Sequence, residues 1–475
     1  MFALVTGVFF YFSNPPFRTF FFIFYAFIPF FYYINNQLQK RKILLFSVLV
    51  SIMNSSFIFT SQIELKYKFA GFLSFVLIVT TLFYSFGRFV KKIENYKYKT
   101  YQKMFVISSF WLFEEYFSSK IFHGFTPHPG IALYNIGIFL FFSKYIGMMG
   151  LSFIIIATNY WLYYLLKNKK YKMFLIISLL ILILPYMRIN SQKDIMENKV
   201  KTIKLAIIQG NISSREYEVS QNNNELSYKI FKEYINLSLK SSKEYSPNII
   251  IWPETAVHRW MIRLPNYRNK ILEFVRENKA NLIIGTPDLT PEDKEYNSIF
   301  IISKNGKIIG KYYKNKLVPY YEKVFEKGKE LKIIDIEDLN IGFEICFEVV
   351  FPEITPELKN KGADVVIIAS NNGMFGYSIV PYLMSAHGVF RAAENNIYII
   401  QATNSGVSQI ISPDGKILKS SKLYKKEIIT YEIPIKKLNK TFYSKYGIKL
   451  YYLIFTIIIV ILINNSALLK KQRKK

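Results

Sequence analysis

Asn248-Ile-Ile-Ile-Trp252-Pro253-Glu254-Thr255 reads as a short apolar strand cut off by a proline. Consecutive β-branched residues without polar alternation belong to a strand covered on both faces, as in layered α/β domains. Pro253 cannot donate to a ladder, so the strand stops there and Glu254 emerges at the carboxyl edge of the sheet, where α/β folds hold their ligands. The same grammar recurs on both sides. Leu205–Gln209, Leu282–Gly285, Asn340–Cys346, Asp364–Ala369, Ile397–Ala402 and Val407–Ile411 read as strands. Leu226, Ile230, Tyr234 and Leu237 repeat at helical spacing and predict a helix within 223–242, with further helices at 268–278 and 380–395. A hairpin over 298–313 turns at Asn305-Gly306, and another turn falls at Asp414-Gly415. Residues 195–440 therefore form an α/β layered domain long enough to bury its own core.

The flanks follow a different rule. Hydrophobic residues make up 51% of the 475-residue chain and crowd into 1–190 and 448–464. Apolar stretches near the roughly 20 residues a bilayer crossing needs occur at 17–34, 43–60, 69–87, 103–119, 148–166, 172–188 and 448–464. The shorter Met1–Phe12 run lacks the basic start and small-residue cleavage site of a signal peptide, so it counts as an eighth span. With eight spans and the N-terminus inside, the basic clusters 40–42, 88–103, 167–172 and 470–475 all fall on the cytoplasmic side. The expected layout is transmembrane helices over 1–190 (about seven spans), an extracytoplasmic domain over 195–440, a last span over 446–466 and a basic cytoplasmic tail over 467–475. Glu114 and Glu115, at the end of one span, read either as part of a substrate path or as headgroup-level residues, and the headgroup reading is preferred.

The net charge of +29 invites a nucleic-acid partner, but many cations sit in the short loops that orient membrane helices, and no zinc-finger or RNA-binding motif appears. No nucleic acid is expected. His123, His128, His258 and His387 are scattered, which argues against a metal site. A transporter fits poorly, since transporters seldom carry one large domain between their last two spans.

Three motifs end or follow apolar strands. They are Trp252-Pro253-Glu254, then Tyr312-Tyr-Lys314-Asn-Lys-Leu317 running on to Glu322, then Ile345-Cys346-Phe347-Glu348. Cys346 is the lone cysteine, so it has no disulfide partner within the chain and is either a core residue or a nucleophile. A thiol nucleophile needs a base, which Glu254 can supply. A carboxylate beside a thiol raises the thiol's pKa, so a fixed cation such as Lys314 must offset it. Lys314 can also stabilise the oxyanion of a tetrahedral intermediate, together with the backbone N–H of Phe347.

This ordered set resembles the Glu-Lys-Cys triad of the nitrilase (carbon–nitrogen hydrolase) superfamily. Arg391-Ala-Ala-Glu394-Asn395 and Ala402-Thr-Asn404-Ser-Gly406 add to the likeness. Asn14-Pro-Pro-Phe17, Gly147-Met-Met-Gly-Leu-Ser-Phe153, Gln209-Gly-Asn-Ile212, Leu317-Val-Pro319 and Glu322 are together similar to the apolipoprotein N-acyltransferase family, across essentially the whole chain. The resemblance implies an α-helical membrane bundle of about eight spans plus an α/β nitrilase-like layered sandwich, in a bacterial inner membrane with the catalytic domain on the periplasmic side. It implies that Cys346 takes an acyl chain from a membrane phospholipid as a thioester. The chain then passes to the α-amino group of a diacylglyceryl-modified cysteine on a lipoprotein precursor. Glu254 is then the base, Lys314 the oxyanion stabiliser, and Glu322, Phe347 and Glu348 supporting residues. No cofactor is expected. No Walker-type loop is present, and an ester donor already suffices to make an amide.

Three positions depart from the family pattern: Phe347 replaces the usual Tyr, Met374 the usual Trp, and Tyr217-Glu218 stand where Lys-Trp is common. The alternatives are a membrane-tethered amidase that hydrolyses its thioester, and a lipid-binding relative without turnover.

Overall fold

The computed structural model describes residues 1–36, 39–56, 58, 61, 65–122, 126–186, 201–257, 261–319 and 321–473. His123, His258 and the expected boundary at 190–195 lie outside them. The chain divides into two compact units. One is helical and is built from both ends of the chain; the other is formed by the segment between.

The helical unit contains α1 (Phe2–Ser13), α2 (Ile28–Asn36), α3 (Lys40–Ser55), α4 (Leu65–Glu94), α5 (Thr100–Ile121), α6 (Gly137–Lys167), α7 (Tyr171–Ile183) and the C-terminal helix Phe442–Arg473. Among the described residues three stretches are long and apolar enough to cross a membrane: Lys68–Glu94, Gly137–Lys167 and Phe442–Ile463. Phe2–Ser13, Phe20–Asn36 and Tyr171–Tyr186 are apolar but shorter.

Two sequence expectations change here. The stretch 17–34 is not one helix. A 3-10 turn at Phe20–Phe24 precedes α2, and the break is satisfied by one side chain. Asn159 of α6 donates from Nδ2 to the Ile23 carbonyl at 2.9 Å and accepts the Phe27 N–H at Oδ1 at 2.9 Å. Backbone freed from a helix inside an apolar bundle needs such partners. Phe27, Phe30, Phe83, Phe86 and Trp111 then interlock around the break, largely edge to face. Second, the expected loop 120–147 holds a 3-10 turn (Pro129–Leu133) and the start of α6, which kinks at Gly147 (φ 68°, ψ 176°). Ile138–Phe142 carries no charge, so nothing in it stops a helix.

Glu115 is buried within the unit. It accepts from Trp111 Nε1 at 3.0 Å, Ser152 Oγ at 3.0 Å and pairs with His128 Nδ1 at 2.9 Å. Ser152 Oγ also takes the Gly130 N–H at 2.9 Å, so the carboxylate helps stitch the Pro129–Leu133 turn onto α5 and α6.

Among the described residues the second unit holds two six-stranded sheets. Strand periodicity cannot say which sheet a strand joins. The strands are β1 (Thr202–Gln209), β2 (Ile249–Trp252), β3 (Asn281–Leu289), β4 (Glu295–Ile302), β5 (Ile308–Tyr313), β6 (Ile333–Ile336), β7 (Leu339–Ile345), β8 (Val365–Ser370), β9 (Tyr398–Thr403), β10 (Gln409–Ile411), β11 (Ile417–Ser420) and β12 (Glu427–Pro434). The orders are β12-β1-β2-β3-β4-β5 and β11-β10-β9-β8-β7-β6. β1, β2 and β3 run parallel, as do β7, β8 and β9, with antiparallel strands completing each edge. These parallel strands carry near-continuous apolar runs and are largely buried on both faces, as that composition requires.

Helices α8 (Ser214–Ser220), α9 (Asn224–Tyr245), α10 (Pro265–Asn278), α11 (Ile354–Lys361) and α12 (Val380–Asn395) complete the unit. Phe231, Tyr234, Ile271 and Phe274 of α9 and α10 form a core with Ile250, Trp252, Leu282 and Ile284 of the first sheet. Tyr312 and Phe343, from different sheets, stack with ring centres 6.4 Å apart. The unit is a nitrilase-like α/β sandwich.

Candidate active site

Four strand ends converge. β2 ends just before Glu254, β5 before Lys314, β7 before Cys346 and β8 before Asn371. Lys314 Nζ lies 3.2 Å from Glu254 Oε1 and 2.9 Å from Glu322 Oε1. Its backbone N–H donates to the Asn297 carbonyl at 2.9 Å, which fixes the strand end that carries it. Asn297 Nδ2 donates to the same two carboxylate oxygens, at 2.8 Å each. Glu254 Oε2 accepts the Asn371 N–H at 2.8 Å, and Glu322 Oε2 accepts the Val318 N–H at 2.7 Å. All of these side chains are buried, so the ammonium and the carboxylates are held by direct bonds rather than by water.

Cys346 takes φ +50°, a left-handed conformation that costs a non-glycine residue about 1–2 kcal/mol. It forms a sharp strand-to-turn elbow, and such strain clusters at functional sites. The sulfur lies 4.0 Å from Asn372 Oδ1. Burial pushes the thiol's pKa well up, the Glu254 carboxylate pushes the same way, and the Lys314 ammonium pulls against both. Burial alone would lower the Lys314 pKa, but Glu254, Cys346 and Glu322 more than offset this, so the lysine stays charged. The resting state is thus a neutral thiol beside an intact ion-pair cluster. A thiol so placed could act as a nucleophile only by giving up this proton, and the Glu254 carboxylate, whose charge acts on the sulfur, is a candidate acceptor.

Glu348 braces two of these strand ends. Oε1 accepts the N–H groups of Asn315 (2.7 Å) and Lys316 (3.0 Å); Oε2 accepts Ile345 N–H (2.7 Å) and Tyr312 Oη–H (2.8 Å). One carboxylate therefore ties the residue before Cys346 to the residues after Lys314. Phe347 packs edge-on against Phe351, ring centres 5.7 Å apart. Met374 sits in the short turn Gly373–Phe375, and Tyr217 is buried on α8. Glu254, Lys314 and Glu322 are thus joined directly, Cys346 lies within their field, and Glu348 stands behind them.

Sequence reasoning missed Asn297 and Asn371. Both carried a signal: Asn297-Ser298 opens an apolar strand, and Asn371 follows one just as Glu254 and Cys346 nearly do.

Another buried carboxylate, Asp288, holds the chain downstream of Glu254. It accepts from Arg263 Nε at 3.1 Å, Lys311 Nζ at 2.9 Å and Tyr313 Oη at 2.7 Å. Burial works to raise its pKa, but Lys311, Tyr313 and Arg263 outweigh it and hold the carboxyl below its ordinary value. Its stabilisation is therefore present above the unfolded carboxyl pKa and is lost as pH falls through the lower folded value. Asp288→Asn is expected to destabilise this unit by about 2 kcal/mol at pH 7. In thermal unfolding scans the gap to the unsubstituted protein narrows toward pH 3.

The carbon–nitrogen hydrolase family profile matches residues 204–443, and the apolipoprotein N-acyltransferase N-terminal domain profile matches residues 6–161. Curated relatives agree. The chain is 27% identical over 329 residues to an apolipoprotein N-acyltransferase of Geobacter metallireducens, covering 63% of this chain and 62% of that one. It is 30% identical over 371 residues to that of Wigglesworthia glossinidia brevipalpis, covering 71% and 70%. It is 26% identical over 516 aligned positions to apolipoprotein N-acyltransferase 1 of Treponema denticola, covering 94% and 92%. The match thus spans somewhat under two thirds of the Geobacter relative's length and nearly all of the Treponema one. With its long apolar helices, the chain is a membrane protein. The profile order, the 30% identity over more than two thirds of a relative and the sandwich all agree: this chain belongs to the apolipoprotein N-acyltransferase family, within the carbon–nitrogen hydrolase (nitrilase) superfamily.

Proposed function

We propose that this protein transfers a fatty acyl chain from a membrane phospholipid to the α-amino group of a lipoprotein's diacylglyceryl-cysteine, through a thioester on Cys346. Cys346 Sγ attacks the ester carbonyl carbon while Glu254 takes the thiol proton. The oxyanion that forms is met by Lys314 Nζ and the Phe347 backbone N–H. Collapse breaks the ester C–O bond, Glu254 returns the proton to the leaving glycerol oxygen, and a lysophospholipid departs. The acceptor amine then attacks the thioester carbon. Glu254 takes a proton from the nitrogen and passes it to the departing sulfur, leaving an amide.

One observation carries this reading: a single buried lysine bonded to both Glu254 and Glu322, beside a thiol on a left-handed elbow. Ester-to-amide exchange runs downhill, so no nucleotide is consumed. Exclusion of water lets aminolysis compete with hydrolysis.

The reading extends to topology. The chain crosses a bacterial inner membrane eight times. Residues 1–190 supply about seven spans, 195–440 form the catalytic domain on the periplasmic side, 446–466 make the last span, and 467–475 a basic cytoplasmic tail. The basic loops support this sidedness.

Purified protein given phospholipid and a diacylated lipopeptide tests the assignment. The expected result is a lipopeptide heavier by one amide-linked acyl chain. Release of free fatty acid with an unchanged lipopeptide would make the protein a hydrolase instead. An unchanged donor would make it a lipid-binding relative.

A further inference from the structure

The geometry points to Asn371 as a positioning residue that aims Glu254 by pinning the strained residue beside it, Thr255. This inference rests on reading Glu254 as the base. Thr255 has φ +50°. A β-branched residue is an outlier in that region and relaxes unless its surroundings hold it. Relaxation there would swing the Glu254 backbone and carry its carboxylate away from Lys314 and Cys346.

The pin consists of direct hydrogen bonds. Asn371 Nδ2 donates to Thr255 Oγ1 at 3.1 Å, and the Asn371 backbone N–H donates to Glu254 Oε2 at 2.8 Å. The same N–H acts to lower the pKa of the Cys346 thiol, against the burial that raises it. One residue at the end of β8 thus bonds both the base and its strained neighbour. Asn371 is itself held, since its Oδ1 accepts Asn404 Nδ2 and the Gly373 N–H, both at 3.3 Å. Asn404 in turn bridges to the segment that follows β1 through the Ile212 carbonyl (2.7 Å) and N–H (3.0 Å). On its other side the Glu254 turn lies flat on β3. The Ala256 N–H reaches the Gly285 carbonyl at 2.9 Å. A Cβ at Gly285 would come within 2.3 Å of the Pro253 carbonyl oxygen, so only glycine permits this approach. β3 therefore clamps one side of the turn, and Asn371 supplies the other.

The strain distinguishes a pin from ordinary packing. Thr255→Val keeps the shape and the strain but removes the hydroxyl that Asn371 holds. Thr255→Gly removes the hydroxyl and the strain together. Two readouts follow the base: the rate of iodoacetamide alkylation at Cys346, the only cysteine, and the rate of acyl-enzyme formation from phospholipid. Thr255→Val and Asn371→Ala are each expected to slow both rates at least about tenfold, in line with the cost of misplacing a catalytic group. The KM for phospholipid should stay near its unsubstituted value. Thr255→Gly should run at least about fivefold faster than Thr255→Val, and Asn371→Ala/Thr255→Gly at least about fivefold faster than Asn371→Ala. Thr255→Val is nearly isosteric and serves should Asn371→Ala fold poorly. Equal rates for Thr255→Val and the unsubstituted protein, or for the Val and Gly variants, would overturn the inference while leaving the base in place. Glu254→Gln separates the two levels. Alkylation as fast as in the unsubstituted protein would remove the base assignment, and the pin with it.

Discussion

Cys346→Ser is expected to lower acyl-enzyme formation and transfer about ten-thousand-fold or more, as losing a nucleophile does elsewhere, with fold and membrane insertion intact. The substitution changes little in volume, and the elbow at φ +50° is a backbone property that serine meets as well or as poorly as cysteine. What changes is the acid that must give up a proton. The thiol is already held above its ordinary pKa by burial and by Glu254. A hydroxyl is a far weaker acid than a thiol, and the same Lys314 charge must then offset a larger deficit. Phospholipid-dependent acylation of a lipopeptide, followed with both proteins at equal concentration, measures the loss. Transfer at an undiminished rate would show that the acyl chain does not pass through this sulfur.

Lys314→Met is expected to remove more than an oxyanion donor, which alone is worth about a hundred- to a thousand-fold. Glu254 Oε1 and Glu322 Oε1 both bond the ammonium and are otherwise bridged by Asn297. Without the cation two buried carboxylates face each other, and one must take up a proton. If that is Glu254, the base is lost along with the oxyanion donor. The thiol also loses the positive charge that opposes its raised pKa, so its alkylation at neutral pH slows further. Stability should fall by about 3 kcal/mol, as when one partner of a buried ion pair is deleted. Adding Glu322→Gln separates the two effects. Lys314→Met/Glu322→Gln relieves the repulsion and should recover much of the melting temperature while remaining inactive. Normal acyl-enzyme accumulation in either variant would give Lys314 another role.

The legible parts of the fold were those where one residue type forces one outcome. Pro253 stops β2 and leaves Glu254 at the edge, and Asn305-Gly306 turns a hairpin. The helix over 380–395 begins and ends where the sequence reading put it. Sheet membership was not legible, because β2 and β8 are equally apolar and only long-range pairing separates them. Nor was the break before α2, since Phe20–Asn36 reads as one apolar run and its partner, Asn159, lies far along the chain. The candidate site shows the same division. Glu254, Lys314 and Cys346 stand out as polar residues at the ends of apolar strands. Glu348 is expected as a supporting residue, but what it supports is visible only in the three backbone N–H groups and the Tyr312 hydroxyl that converge on it. Asn297 and Asn371 are common residues whose value lies in what they touch.

The most direct measurement is the intact mass of the protein after incubation with a phospholipid of known chain composition and no acceptor. The account predicts a gain of one acyl chain, on the peptide containing Cys346, sensitive to hydroxylamine, absent in Cys346→Ser and discharged when a diacylated lipopeptide is added. An adduct on another residue, one that survives in Cys346→Ser, or amide product formed while no thioester can be trapped under any condition would contradict it.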